Sequence, residues 1–117
     1  MAKLGLNVKF RIGEKDRARL KAVMLDAFGA PRRTTERFEI FDLGGCNFGA
    51  EVVADSAAPS PSTVKEQGAW LEIVVDDTAK ARETLAKHGI VPFEYTDKRH
   101  DYVQLPGGLA VRIAGNG

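Results

Sequence analysis

The feature that most constrains this chain is an order of elements it runs through twice, about 60 residues apart. Each half reads as strand, helix, strand, strand, strand. In the first half Leu6, Val8, Phe10 and Ile12 alternate with Asn7, Lys9 and Arg11, which predicts a strand over 4–12 with one face on a core. From Gly13 the period lengthens. Ala18, Ala22 and Leu25, together with Leu20, Met24 and Phe28, make a broad apolar helical stripe that stops at Gly29 and Pro31. Residues 32–36 read as an irregular edge strand. RFEIFDL (37–43) and CNFGAEVVA (46–54) predict two more strands around a Gly44-Gly45 turn.

The second half opens on the strand AWLEIVV (69–75), offers Asp76-Asp77 as an N-cap for a helix over 78–88, and stops that helix at Gly89. Three short strands close it: VPFEYT (91–96), YVQL (102–105) and LAVRIA (109–114). Between the halves, DSAAPSPSTVKEQ is rich in Pro and Ser and has no apolar period, which predicts a linker. The organisation is therefore one domain over 1–117, with internal units 1–55 and 68–117 joined by a linker over 56–67. With 117 residues, 44% of them hydrophobic, such a domain has enough chain to bury a core unaided.

Charge excludes several partners. Lys and Arg number 17 against 16 Asp and Glu, for a net charge of +1. That balance gives no drive toward nucleic acid or anionic membrane. No apolar run approaches the ~18 residues needed to span a bilayer, and the N-terminus is too charged for a secretory signal, so a cytoplasmic location is expected. Cys46 is the single cysteine, which excludes an intrachain disulfide and a Cys-rich zinc site.

Two βαβββ units of this kind resemble the vicinal oxygen chelate superfamily, which includes glyoxalase I and the bleomycin-resistance proteins. LEIVVDDTAKARETLAKHGI followed by YVQLPGGLAVRI is similar to the family's strand, V-D-D turn, helix, H/N-G stop and terminal P-x-G-x-x-x-E-L strand. NVKFRIGEKDRARLKAVMLDAFGA is a looser match. The resemblance implies an α+β fold: two βαβββ units forming a curved, mixed-sheet cup with helices outside, as in the glyoxalases. It also implies a ligand held in the cup, and a homodimer.

Members with metal chemistry place His or Glu at four points, on the first and last strands of each unit. Here those points fall on Asn7, Glu51, Trp70 and Arg112. Only Glu51 suits a divalent cation: indole has no lone pair to offer, and guanidinium is a permanent cation with no acceptor. No metal and no other cofactor is therefore expected. Strand alternation puts Asn7, Lys9, Arg11, Glu51, Val53, Trp70, Glu72, Val74, Ala110, Arg112 and Ala114 on the cup face. Two readings of the charged set stay open. Glu51 and Glu72 neutralise Lys9, Arg11 and Arg112 as a structural network, or some of these groups meet a small polar ligand stacked on Trp70. His88 reads as a helix-end residue. His100 reads as a surface residue, or as an acid or base if it reaches the cup mouth.

The function expected is metal-independent binding of a small anionic or zwitterionic molecule, since three cations face two carboxylates. A lyase, isomerase or dioxygenase of the same superfamily is the alternative, with no catalytic residue identified. A catalytically silent interaction or regulatory module is the third.

Overall fold

The computed structural model describes residues 1–66 and 68–115. Gln67, which ends the predicted linker, and Asn116 and Gly117, which end the second unit, lie outside the described residues. The first unit runs β1 (Asn7–Gly13), α1 (Arg17–Phe28), β2 (Arg32–Thr34), β3 (Phe38–Leu43) and β4 (Cys46–Val53), with a single 3-10 turn leading into α1. After a short helix α2 (Pro61–Glu66), the second unit runs β5 (Leu71–Val75), α3 (Thr78–Lys87), β6 (Asp101–Gln104) and β7 (Ala110–Gly115).

Each unit contributes its own mixed sheet. The first has strand order β1-β4-β3-β2 and the second β5-β7-β6. In both, the opening strand lies parallel to the closing strand, β1 to β4 and β5 to β7, and the other pairs are antiparallel. This is the α+β double-unit architecture that the repeated order of elements predicts. The registers set Arg11 beside Glu51 and Glu72 beside Arg112. Successive side chains of a strand point to opposite faces, so this one fact assigns every residue of both sheets to a face.

The inner faces, α1 and α3 bury one continuous core that includes Ile12, Leu20, Met24, Phe41, Leu85 and Val111. Within it Glu39 is fully buried. Burial pushes its carboxyl upward, yet hydrogen bonds from Thr34 (2.7 Å) and Arg17 (2.9 Å) hold it below the usual carboxylate range. The ion pair fastens α1 to β3. On α1 itself the buried stripe is Leu20, Val23 and Met24, whereas Ala18, Ala22 and Leu25 face outward, with Leu25 64% exposed. One half of the predicted stripe is thus solvent-facing, because one sheet covers only one side of a helix.

Two predicted segments differ. Residues 91–96 form no strand. Pro92 has no N–H to donate, and the segment reaches β6 through the Phe93 N–H to Tyr102 O bond, at 2.8 Å. The Pro/Ser-rich stretch, read as a linker without structure, contains α2. Ser60 Oγ accepts the Thr63 N–H at 3.2 Å, and Pro61 takes the first helical position, where its missing donor costs nothing. Among the described residues no helix is long and apolar enough to cross a membrane.

Candidate functional site

The predicted site residues gather in two groups, one on the outer face of each sheet. On the first sheet Glu51, though buried, accepts from three cations: Lys9 Nζ (3.1 Å), Arg11 Nε (3.1 Å) and Arg37 Nη2 (3.3 Å). Hydrogen bonds from Lys9 and Arg11 hold its carboxyl below the usual range, outweighing the opposing effect of burial. Arg37 was not among the predicted residues. It comes from the segment just before β3, whose neighbour β4 carries Glu51 opposite Phe38. Asn7 sits further along the same face and accepts from Asn47 Nδ2 at 2.9 Å.

Two cavities flank Lys9. One, of about 310 Å³, lies over Gly49 and is bounded by Asn7, Arg33, Phe38 and Ile40. The other, of about 340 Å³, lies between β1 and the α2 region, where Arg11 faces Pro59, Val64 and Leu109.

On the second sheet Arg112 is gripped by Glu72, with Nε at 2.7 Å and Nη2 at 2.5 Å from one carboxylate oxygen. Its guanidinium lies over the Trp70 ring, 4.4 Å from the centroid. Trp70, which stands immediately before β5, meets Tyr102 edge-on at 5.6 Å. The Trp70 face turned toward Arg112 is therefore already stacked. Tyr102 lies beside Arg112 across the β6–β7 pairing and donates its hydroxyl proton to Asp97 at 2.9 Å. Asp97 also accepts from the Arg99 N–H (2.8 Å) and from His100 Nδ1 (2.7 Å). The Arg99 N–H first, then His100, hold the Asp97 carboxyl down to about 2. Burial pushes the Tyr102 phenol up, and the Asp97 charge reinforces the shift against the opposing Arg112. An ionised Asp97 only accepts, so Nδ1 of His100 carries the proton in this contact.

Tyr102, Asp97 and Arg37 escaped the sequence reading. Tyr102 had a signal: counted back through the Pro106-Gly107-Gly108 turn, period two sets it on the face of Arg112. Asp97 lies outside regular strands, where alternation says nothing, and Arg37, first residue of the strand expected over 37–43, stands one residue before β3, where strand alternation no longer fixes its face. Among the described residues no hydrogen bond or ion pair joins the two groups. Val74, expected on the cup face, is 53% exposed, but Ala110 is buried. There α2 covers the face: Gln104, beside Ala110, donates to Pro61 O at 2.7 Å.

The remaining candidates have structural roles. His88 ends α3 and pairs Nε2 with Asp26 of α1 at 2.9 Å. Cys46 is half-buried at the start of β4. A further cavity of about 490 Å³ between α1 and α3 contains none of the charged or aromatic residues expected at the site and only Val74 of the expected cup face; its Asp77 caps α3 and its Asp26 holds His88.

The residues at the four superfamily ligand positions do not fit a divalent metal. Glu51 is ringed by three cations and Arg112 is itself a cation, so a metal ion there would sit among like charges. Among the described residues no three His, Cys, Asp or Glu side chains converge.

No family model matches the sequence, and no curated protein matches it. Solved structures do. A fosfomycin resistance protein from Mesorhizobium loti superposes with a TM-score of 0.68 at 13% identity, covering 100% of this chain and 94% of that one. A possible glyoxalase from Bacillus cereus gives 0.69 at 12% identity, over 97% and 99% of the two chains. The Leishmania major glyoxalase I gives 0.66 at 16% identity, over 97% and 87%. The chain has the glyoxalase-like fold of these structures, as its two-unit order implies.

Proposed function

We propose that this chain is a small-molecule-binding protein of the glyoxalase and bleomycin-resistance type that works without a metal, and that its ligand is anionic or zwitterionic. One observation carries this: three cations, Lys9, Arg11 and Arg37, share the single carboxylate of Glu51 on one sheet face. One carboxylate neutralises one of them, and the surplus attracts an anion. The homodimer and cytoplasmic location expected from the sequence belong to the same proposal; light scattering on the purified chain checks the first.

The test is the unfolding temperature of the purified chain in a panel of small organic anions, cations and neutral analogues, alongside elemental analysis after exposure to Ni, Mn, Fe and Zn. A bound anion at a hundredfold excess over its dissociation constant adds about 2.7 kcal/mol of stability. Stabilisation by anions with no stoichiometric metal supports the proposal. Preferential stabilisation by cations, or a metal bound one to one, overturns it.

An enzyme is the second reading, favoured by the His100–Asp97 pair. A carboxylate fixes one ring nitrogen and leaves Nε2 as a base. Turnover that is lost in His100→Gln while the fold persists would move this reading to the front.

A further inference from the structure

We infer that the ligand's anionic end is held in the cavity of about 310 Å³ over the first sheet, and that the ligand is an organic anion, a carboxylate or phosphate head on an apolar body. The inference rests on the reading above and gives it a place and a ligand class.

Arg33 is the key residue. Its neighbours Arg32 and Arg37 pair with Glu39 and Glu51, but the Arg33 side chain makes no hydrogen bond or ion pair among the described residues. It stands opposite Ile40 on β3, Ile40 stands opposite Gly49 on β4, and Gly49 stands beside Lys9 on β1. One row of register therefore carries Arg33, Ile40, Gly49 and Lys9 on a single face, with a cation at each end. Lys9 is anchored from one side by Glu51, which fixes its ammonium without cancelling the group's surplus charge. Asn7 spends its carbonyl on Asn47, leaving its amide N–H groups to donate. Between the two cations the floor is the bare backbone of Gly49, and the walls are Phe38 and Ile40.

Polar donors at the ends and an apolar middle match an anion with a hydrocarbon part, and the volume is at the small end of ligand pockets. A guanidinium with no internal partner is suited to bidentate capture of a carboxylate or phosphate. The second sheet lacks this vacancy in its charge, because Arg112 already holds Glu72 and stacks on Trp70.

The test is an NMR titration of the isotope-labelled full chain with phenyl phosphate, benzoate, inorganic phosphate and benzyl alcohol. Phenyl phosphate or benzoate is expected to shift the amides of Phe38, Asn47 and Gly49, and the tighter of the two identifies the head group. Arg33→Ala, at an exposed position, is expected to weaken binding roughly tenfold or more, with Arg33→Lys intermediate. A Cβ at Gly49 meets its neighbours at 3.5 Å and beyond, so Gly49→Ala leaves the fold intact while filling the floor. It is expected to weaken phenyl phosphate and spare inorganic phosphate.

Benzyl alcohol binding as tightly as the anions overturns the inference. Shifts confined to the surroundings of Trp70 and Tyr102, insensitive to Arg33→Ala, overturn it while leaving the binding-protein reading standing. No response to any anion overturns both.

Discussion

The guanidinium of Arg112 lies 4.4 Å over the ring of Trp70 while Glu72 grips it from the neighbouring strand. Trp70 is the chain's only tryptophan, so its emission reports on this cluster alone. Arg112→Met is expected to change the emission and lower the melting temperature, because Glu72 loses its counter-charge. Adding Glu72→Gln is expected to restore part of the loss, since removing both partners leaves no stranded charge. Equal melting temperatures for the single and double variants would show that Glu72 is not left as a stranded charge when Arg112 is lost.

Removing the carboxylate of the first sheet should act on affinity in the opposite sense to removing a cation. Glu51→Gln leaves Lys9, Arg11 and Arg37 without a counter-charge. The expected outcome is lower stability at low ionic strength, partly recovered by added salt, together with larger stabilisation by organic anions. Differential scanning calorimetry with and without benzoate reads both. A variant that responds less to benzoate than the parent contradicts the charge-surplus argument.

Asp97 gives a pH dependence with a definite sign. Its carboxyl falls from 3.8 to about 2 in the folded chain. The unfolded chain therefore binds this proton first as pH drops. The stabilisation is complete above 3.8 and is lost as pH falls through that window toward 2. Asp97→Asn is expected to flatten the urea-midpoint curve across the window and to lower the midpoint at neutral pH. An unchanged acid limb would mean that Arg99, His100 and Tyr102 do not stabilise the charge.

The hairpin turn between β6 and β7 tests the joining of the two units. Gly107 has φ +97°, and a Cβ there would stand 2.4 Å from Ile12 Cγ2. Gly107→Ala is expected to cost about 2–4 kcal/mol, from left-handed strain plus overpacking. Gly44→Ala, with φ +63° but nothing within 4 Å, carries only the strain, about 1–2 kcal/mol. Equal losses in chemical denaturation would remove the contact with Ile12 from the account.

Strand alternation is the part of this molecule most legible in the sequence, and the reason is geometric. A period of two fixes a face without any knowledge of the partner strand, so Lys9, Arg11 and Glu51 fell together, as did Glu72 and Arg112. Arg33 and Arg37 depend on which strand lies beside which, a long-range fact that local pattern does not encode. Helix α1 shows the complementary limit: leucine at position 25 fits the apolar period, but only the packing tells which side of a wide stripe is covered. In α2, Ser60-Pro61 was a readable start signal overridden by the weight of Pro and Ser around it. The reading of 91–96 as a strand failed for the reverse reason, since its aromatic and β-branched residues outweighed the donor missing at Pro92.

The seat of Gly107 on Ile12 also carries a consequence for descent. Position 12 belongs to the opening strand of one unit and position 107 to the closing turn of the other, and the space between them has no room for one more methyl. In any lineage of this chain a side chain at position 107 demands a smaller one at position 12 or a displaced turn, and a larger one at position 12 demands a displaced turn. The two halves are bound to vary together at that point.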